Sequence, residues 1–157
     1  GDILTLAESD TILVEFPFHD YKEEYDEILY ELSLKYWIII AHPERYRYVQ
    51  DNPNFCLRWL KEGYLLQSNQ NSLFKKETKR ILFSMIEHGF VSFIVSDAHN
   101  KYRPLILKEA YDLLEEEFGM RVAKQLTEEN PGKLLINEEI QMEYQEIEKK
   151  KKRFLWL

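Results

Sequence analysis

At 157 residues, with 45% hydrophobic and 31% charged side chains, the chain is long enough for one domain with a real core and is not a disordered segment. A net charge of −7 argues against general nucleic-acid binding, because phosphate backbones are met by lysine and arginine. No apolar run approaches the roughly 20 residues that span a bilayer, and the opening GDILTLAESD has neither the basic nor the apolar region of a signal peptide. The single cysteine, Cys56, leaves no intrachain disulfide framework and suits a reducing cytoplasm. The first residue is Gly1 rather than methionine, which suggests processing or a piece of a longer protein.

The predicted elements alternate. TILVEFPF (11–18) reads as a strand, and the helix of 21–34 follows with Tyr25, Ile28, Leu29 and Leu32 at helical spacing. KYWIIIA (35–41) is apolar on both faces, as strands of parallel sheets are. Asn52-Pro53 offers a cap and a first-turn proline for a helix that Gly63 stops. YLLQSN (64–69) is the third strand, KKETKRILFSMIEH a helix closed by Gly89, and VSFIVSDA (91–98) the fourth strand. LILKEAYDLLEEEF ends at Gly119, and MRVAKQLTEEN makes a short helix before Pro131. Four strand–helix units predict an α/β fold of parallel strands joined by right-handed crossovers, either covered by helices on both faces or closed as a barrel.

On that frame the unusual polar residues fall at strand ends. From Glu15 to His42, Gln67 and Asp97 the steps are 27, 25 and 30 residues, each about one strand–helix unit. These groups therefore gather at the carboxyl ends of the strands, where barrels and open α/β sheets place their chemistry. Glu15, His42, Asp97 and His99 form a mixed carboxylate–imidazole set suited to Zn, Mn or Fe. Arg45 and Arg103 accompany it, and a guanidinium fork beside a metal suits phosphate. Metal plus arginine is the equipment of phosphate ester hydrolysis. Taken alone, HPER also reads as a strand-end turn and Asp97-Ala98-His99 as an ordinary loop; their recurrence at matching strand ends favours a site. Gln67, Asn69 and Asn71 either line the pocket or satisfy strand-end backbone. His88 reads as a helix-end cation and Cys56 as core, while His19 is left as a loop residue that could approach the pocket.

VEFPF, IIIAHPERY, LLQSNQNSL, FIVSDAHN with its following RP, and ENPGKLLINEEI together resemble the successive motifs of bacterial PHP-domain tyrosine-protein phosphatases. The resemblance implies that residues 1–137 are the C-terminal part of a PHP-type, (β/α)7-like distorted TIM barrel with outer helices. It implies a multinuclear, manganese-type metal centre with Glu15, His42, Asp97 and His99 as ligands and with Arg45 and Arg103 holding phosphate. Glu44 reads as an orienter rather than a ligand. The implied substrate is phosphotyrosine on the tail of a capsule or exopolysaccharide tyrosine kinase. Another phosphoesterase of the family, such as one acting on histidinol phosphate, is the alternative, as is a non-catalytic scaffold fragment. The family's opening HXH strand is missing from this sequence. The expectations are therefore incomplete metal binding, weak or no activity of the segment alone, and self-association through exposed edges.

Residues 138–157 read as a charged helical tail. Its end, EKKKKRFLWL, is read as a solvated helix end whose last apolar residues dock, with peripheral contact on anionic membrane as the alternative.

Overall fold

The computed structural model describes residues 5–6, 9–96 and 106–149. Four short strands, β1 (Thr11–Val14), β2 (Trp37–Ala41), β3 (Leu65–Asn69) and β4 (Phe93–Val95), form one parallel sheet in the order β1-β2-β3-β4. Between them come α1 (Glu24–Ser33), α2 (Arg47–Asp51), α3 (Leu57–Lys61) and α4 (Lys76–Glu87); α5 (Ile106–Phe118), α6 (Met120–Lys124) and α7 (Asn130–Leu135) follow β4. Each strand lies beside its sequence neighbour, so right-handed crossovers deposit every connecting helix on the same face.

The side chains agree with that winding. Ile12, Ile38, Ile40, Leu66 and Ile94 share one core with Leu29 of α1, Trp59 and Leu60 of α3, Leu82 and Met85 of α4, and Ala110 and Leu114 of α5. The residues between them in the pleat face the other way. There Ile39 and Phe93 are buried with Ile140, joined by Leu6, Leu65, Leu134 and Met142. This second face is covered only in part: Leu13 and Trp37 remain exposed. The described strands thus make an open sheet with helices on one side, and no helix among the described residues is long and apolar enough to cross a membrane.

The expected punctuation holds. Gly63, Gly89 and Gly119 all take positive φ at the expected stops, and Asn52 accepts a hydrogen bond from the Asn54 N–H as a cap does. Two expectations need correction. The helix beginning at Met120 does not stop before Pro131. It widens through a π-turn at Gln125–Glu129 and continues to Leu135 with Pro131 in the first turn of α7. Such a turn accommodates a residue that has no N–H and crowds the preceding carbonyl.

The described part of the tail, 138–149, has no regular secondary structure and is not helical. Its apolar residues Ile140, Met142 and Tyr144 recur every second position, which is the period of an extended chain. Ile140 and Met142 pack beneath the sheet, while Tyr144 and Ile147 join the helix-side core. Gln145 N–H donates to the His88 carbonyl at 2.9 Å. The Asn54 side chain grips Ile147 on both sides, donating to its carbonyl at 2.8 Å and accepting from its N–H at 2.9 Å.

Gly89 permits this crossing, because a Cβ there would collide with the Glu143 carbonyl oxygen, whereas one at Gly63 would meet open space. Both glycines have left-handed φ, so alanine at either position carries a conformational cost of about 1 kcal/mol. Only Gly89→Ala should add a steric penalty. It is expected to lose at least about 2 kcal/mol more than Gly63→Ala in urea denaturation; equal losses would mean that the strap does not pack on Gly89.

Candidate metal and phosphate site

The register β1–β2–β3–β4 sets Leu13 beside Ile39 beside Leu65, and Ala41 beside Gln67 beside Phe93. Residues on this row parity all face the side away from the helices. At the carboxyl ends they line a cleft of about 290 Å³ together with Glu15, His42, Arg45, Asn69 and Ser96. Glu15 belongs there by simple alternation from Leu13. His42 does not: by the pleat it would follow Ile38 and Ile40 into the helix-side core.

Its backbone explains the exception. His42 has φ 36° and ψ 55°, a left-handed conformation directly before Pro43. That costs a non-glycine residue about 1–3 kcal/mol and turns the side chain out of the strand's alternation. The imidazole Nε2 thereby lies 3.2 Å from the Glu15 carboxylate Oε1.

Several contacts hold the turn in place. The His42 N–H extends the ladder to the Gln67 carbonyl at 2.6 Å, and the N–H groups of Arg45 and Tyr46 donate to the carbonyls of His42 and Pro43. Glu44 is fully buried. One of its carboxylate oxygens accepts from the Asn69 N–H at 3.1 Å, and its backbone carbonyl accepts from Gln50 at 3.0 Å. The end of β2 is thus tied to the end of β3 immediately beside the cleft.

The chain leaving β1 is fixed from the same segment. Phe16 N–H donates to the Tyr46 hydroxyl at 3.0 Å, the Tyr48 hydroxyl donates to the Pro17 carbonyl at 3.1 Å, and Arg47 N–H donates to the Phe18 carbonyl at 2.7 Å. Phe16 points inward, stacked on Trp59 with ring centroids 5.7 Å apart. Burial pushes the Tyr46 hydroxyl well above its ordinary range, so it stays neutral while it accepts that hydrogen bond.

Of the six expected site residues, the structure brings Glu15, His42 and Arg45 together at one cleft. Asp97, His99 and Arg103 lie outside the described residues. Among the described residues no group of three or more acidic, histidine or cysteine side chains is arranged to hold a metal. The pair that is present does fit an ion. Two ligands placed roughly 2.0–2.2 Å from one transition metal stand about 2.8–3.6 Å apart at octahedral to tetrahedral angles, and the observed 3.2 Å, which is also the length of a direct imidazole–carboxylate contact, falls inside that span. The His42 Nδ1 is buried with no hydrogen-bond partner among the described residues.

The remaining sequence candidates sort clearly. Gln67 and Asn69 line the cleft, and the Asn69 side chain also caps the following turn by accepting from the Asn71 N–H at 2.8 Å. His88 ends α4, where its Nδ1 donates to the Ser84 carbonyl at 2.7 Å, a structural role. Cys56 is fully buried, and burial pushes its thiol well above the ordinary range, as suits a core residue and not a nucleophile. His19 is exposed in the loop after Phe18 and does not line the cleft. The roles of Tyr46 and Tyr48 were not legible beforehand, because spacing does not reveal a hydroxyl that reaches a backbone some thirty residues away.

Fold and site together define a parallel α/β protein with an acid–imidazole–guanidinium cleft at its strand ends. Residues 1–136 match the family described as capsular polysaccharide synthesis, CpsB/CapC, and the chain belongs to that family. It is 36% identical to the tyrosine-protein phosphatase YwqE of Bacillus subtilis, over 97% of this chain and 61% of that protein. It is 29% identical to the tyrosine-protein phosphatase CpsB of Streptococcus pneumoniae, over 87% of this chain and 60% of that one. A crystal structure from work on YwqE and CpsB, described there as unique metal-dependent tyrosine phosphatases, matches with a TM-score of 0.84 at 35% identity. The match covers 93% of this chain and 61% of the other. The chain therefore spans about three fifths of the length of these relatives.

Glu44 should be the most sensitive polar position of the cleft's scaffold. Glu44→Ala leaves the buried Asn69 N–H without its acceptor and opens a void, and is expected to cost about 2–4 kcal/mol in chemical denaturation. Glu44→Gln keeps an acceptor and should lose less. A loss under about 1 kcal/mol for the alanine variant would show that the β2–β3 tie is not needed.

Proposed function

We propose that this chain is the ligand-bearing C-terminal part of a metal-dependent phosphotyrosine phosphatase, a hydrolase of phosphate monoesters on protein. The observation that carries the reading is the convergence of Glu15, His42 and Arg45 on one strand-end cleft, with Glu15 and His42 spaced as two ligands of a single ion. Membership of the CpsB/CapC family, with relatives named as tyrosine-protein phosphatases, supports the substrate class. The one-sided winding of the sheet supports a further step: the four strands are one wall of a PHP-type distorted barrel over residues 1–137, closed by sequence that the relatives have and this chain does not match. The residues beyond 137 then form a separate tail that strengthens the domain and leads to the basic, apolar terminus.

In this reading Glu15 and His42 hold the metal with Asp97 and His99, and the ion is manganese, or iron or zinc. When bound, such an ion polarises a phosphoryl oxygen and makes water nucleophilic at neutral pH. Arg45 orients the ester and balances charge that grows on the phosphoryl oxygens during in-line displacement, with Arg103 as its partner. The left-handed turn at His42 places imidazole and guanidinium on the same side without a loop between them, so little reorganisation accompanies binding. The physiological substrate would be a phosphotyrosine-bearing tail of a capsule tyrosine kinase, met at the cytoplasmic side of the membrane.

Whole protein of this family member, loaded with manganese, is expected to hydrolyse a phosphotyrosine peptide at least tenfold faster than histidinol phosphate and to lose that activity on chelation. Arg45→Ala should lower kcat/KM by about 10²–10³, and His42→Ala should lower metal content measured by elemental analysis. Faster turnover of histidinol phosphate would move the chain to another phosphoesterase class. Unchanged metal content in His42→Ala would remove His42 from the ligand set.

A further inference from the structure

We propose that Phe18 is the ring platform of this cleft, the residue that lets the site prefer aryl phosphates to alkyl phosphates; the proposal rests on the phosphate-site reading above. Phe18 is an aromatic side chain left 42% exposed, although Phe16 two residues earlier is buried in the core. Its ring lies against His42, with centroids 5.7 Å apart and planes at 69°, and against Tyr46 at 5.9 Å. The ring is thus braced by the candidate metal ligand and by Tyr46, and part of it stays open to solvent beside the cleft.

The bracing is unusual for a loop. Phe16 donates a hydrogen bond to Tyr46, and Pro17 and Phe18 accept one from Tyr48 and Arg47; these three partners directly follow Arg45. The backbone that carries Arg45 and the backbone that carries the exposed ring are therefore tied to each other, and their relative placement does not depend on loop closure. An ester held by its phosphoryl group at His42 and Arg45 carries its first substituent just past the bridging oxygen. A phenyl ring there gains offset or edge-to-face contact with Phe18 and covers apolar surface already paid for as exposure; a serine or threonine methylene reaches nothing comparable. Phe18 is not itself a lining residue of the cleft; it adjoins the cleft through its contact with His42, which is one.

The test uses non-hydrolysable ligands with the metal-loaded whole protein, so that binding is read apart from turnover. Phenylphosphonate and methylphosphonate are titrated calorimetrically into wild type, Phe18→Ala, Phe18→Leu and Phe18→Tyr, with circular dichroism confirming that each variant is folded. Wild type should prefer the phenyl ligand about fivefold to tenfold, Phe18→Tyr should keep that preference, and Phe18→Ala and Phe18→Leu should bring the ratio near one. The kcat/KM ratio for phosphotyrosine over phosphoserine peptides should fall in parallel. Methylphosphonate and phenylphosphonate binding equally to wild type, or a preference that survives in Phe18→Ala, would overturn the platform and leave the phosphate site standing; that is the result expected if other parts of the whole protein cover Phe18. Binding of neither ligand would overturn the phosphate site itself and the platform with it.

Discussion

The arrangement of the cleft depends on one buried carboxylate. Glu44 has no access to water, yet it supplies the acceptor that the Asn69 N–H needs where β3 leaves the sheet. Burying an acidic group is costly unless its oxygens accept hydrogen bonds; one oxygen of Glu44 does so and fastens two strand ends, while the other is buried without a partner among the described residues. His42 lies two residues before it and the cleft-lining Asn69 at its far side. The strained backbone at His42 persists because this tie, the ladder to Gln67 and the short turn over Pro43–Arg45 determine the same conformation from three directions.

A second layer of support comes from aromatic hydroxyls. Tyr46 and Tyr48 reach the backbone of Phe16 and Pro17, while their rings pack with Phe16, Phe55 and Trp59. The run that follows the isoleucines of β2 therefore carries three functions in seven residues. His42 and Arg45 face the cleft, Glu44 binds β3, and Tyr46, Arg47 and Tyr48 bind the chain that leaves β1. Charge and hydrogen-bonding groups are concentrated there because the ends of parallel strands present backbone that no neighbouring strand satisfies.

Much of this was legible in the sequence. The order of elements, the glycine stops and the clustering of Glu15, His42 and Arg45 follow from strand–helix rhythm and from the interval between polar residues. The misreadings have specific causes. The charged tail expected to be helical over 138–157 is not helical in its described part, 138–149, where the alternation of Ile140, Met142 and Tyr144 is the stronger signal because two separate apolar surfaces take these side chains. Pro131 suggested a stop, and a widened helical turn absorbs it instead. The route of His42 to the cleft was invisible, since strand periodicity places it on the wrong face and only its positive φ corrects that. Contacts such as Tyr46 to Phe16 are tertiary and leave no mark on local spacing.

The strap of residues 138–149 also has a kinetic meaning. It belongs to both cores, and its docking points are the Asn54 amide, the Gly89 turn and the underside of β2 and β4. None of these surfaces exists until the sheet and α4 have assembled, and Ile147 closes on Asn54 across 93 residues of chain. Closing contacts of such separation carries a larger chain-entropy cost than closing local ones. The strap thus lengthens the range over which the chain must organise to complete both cores.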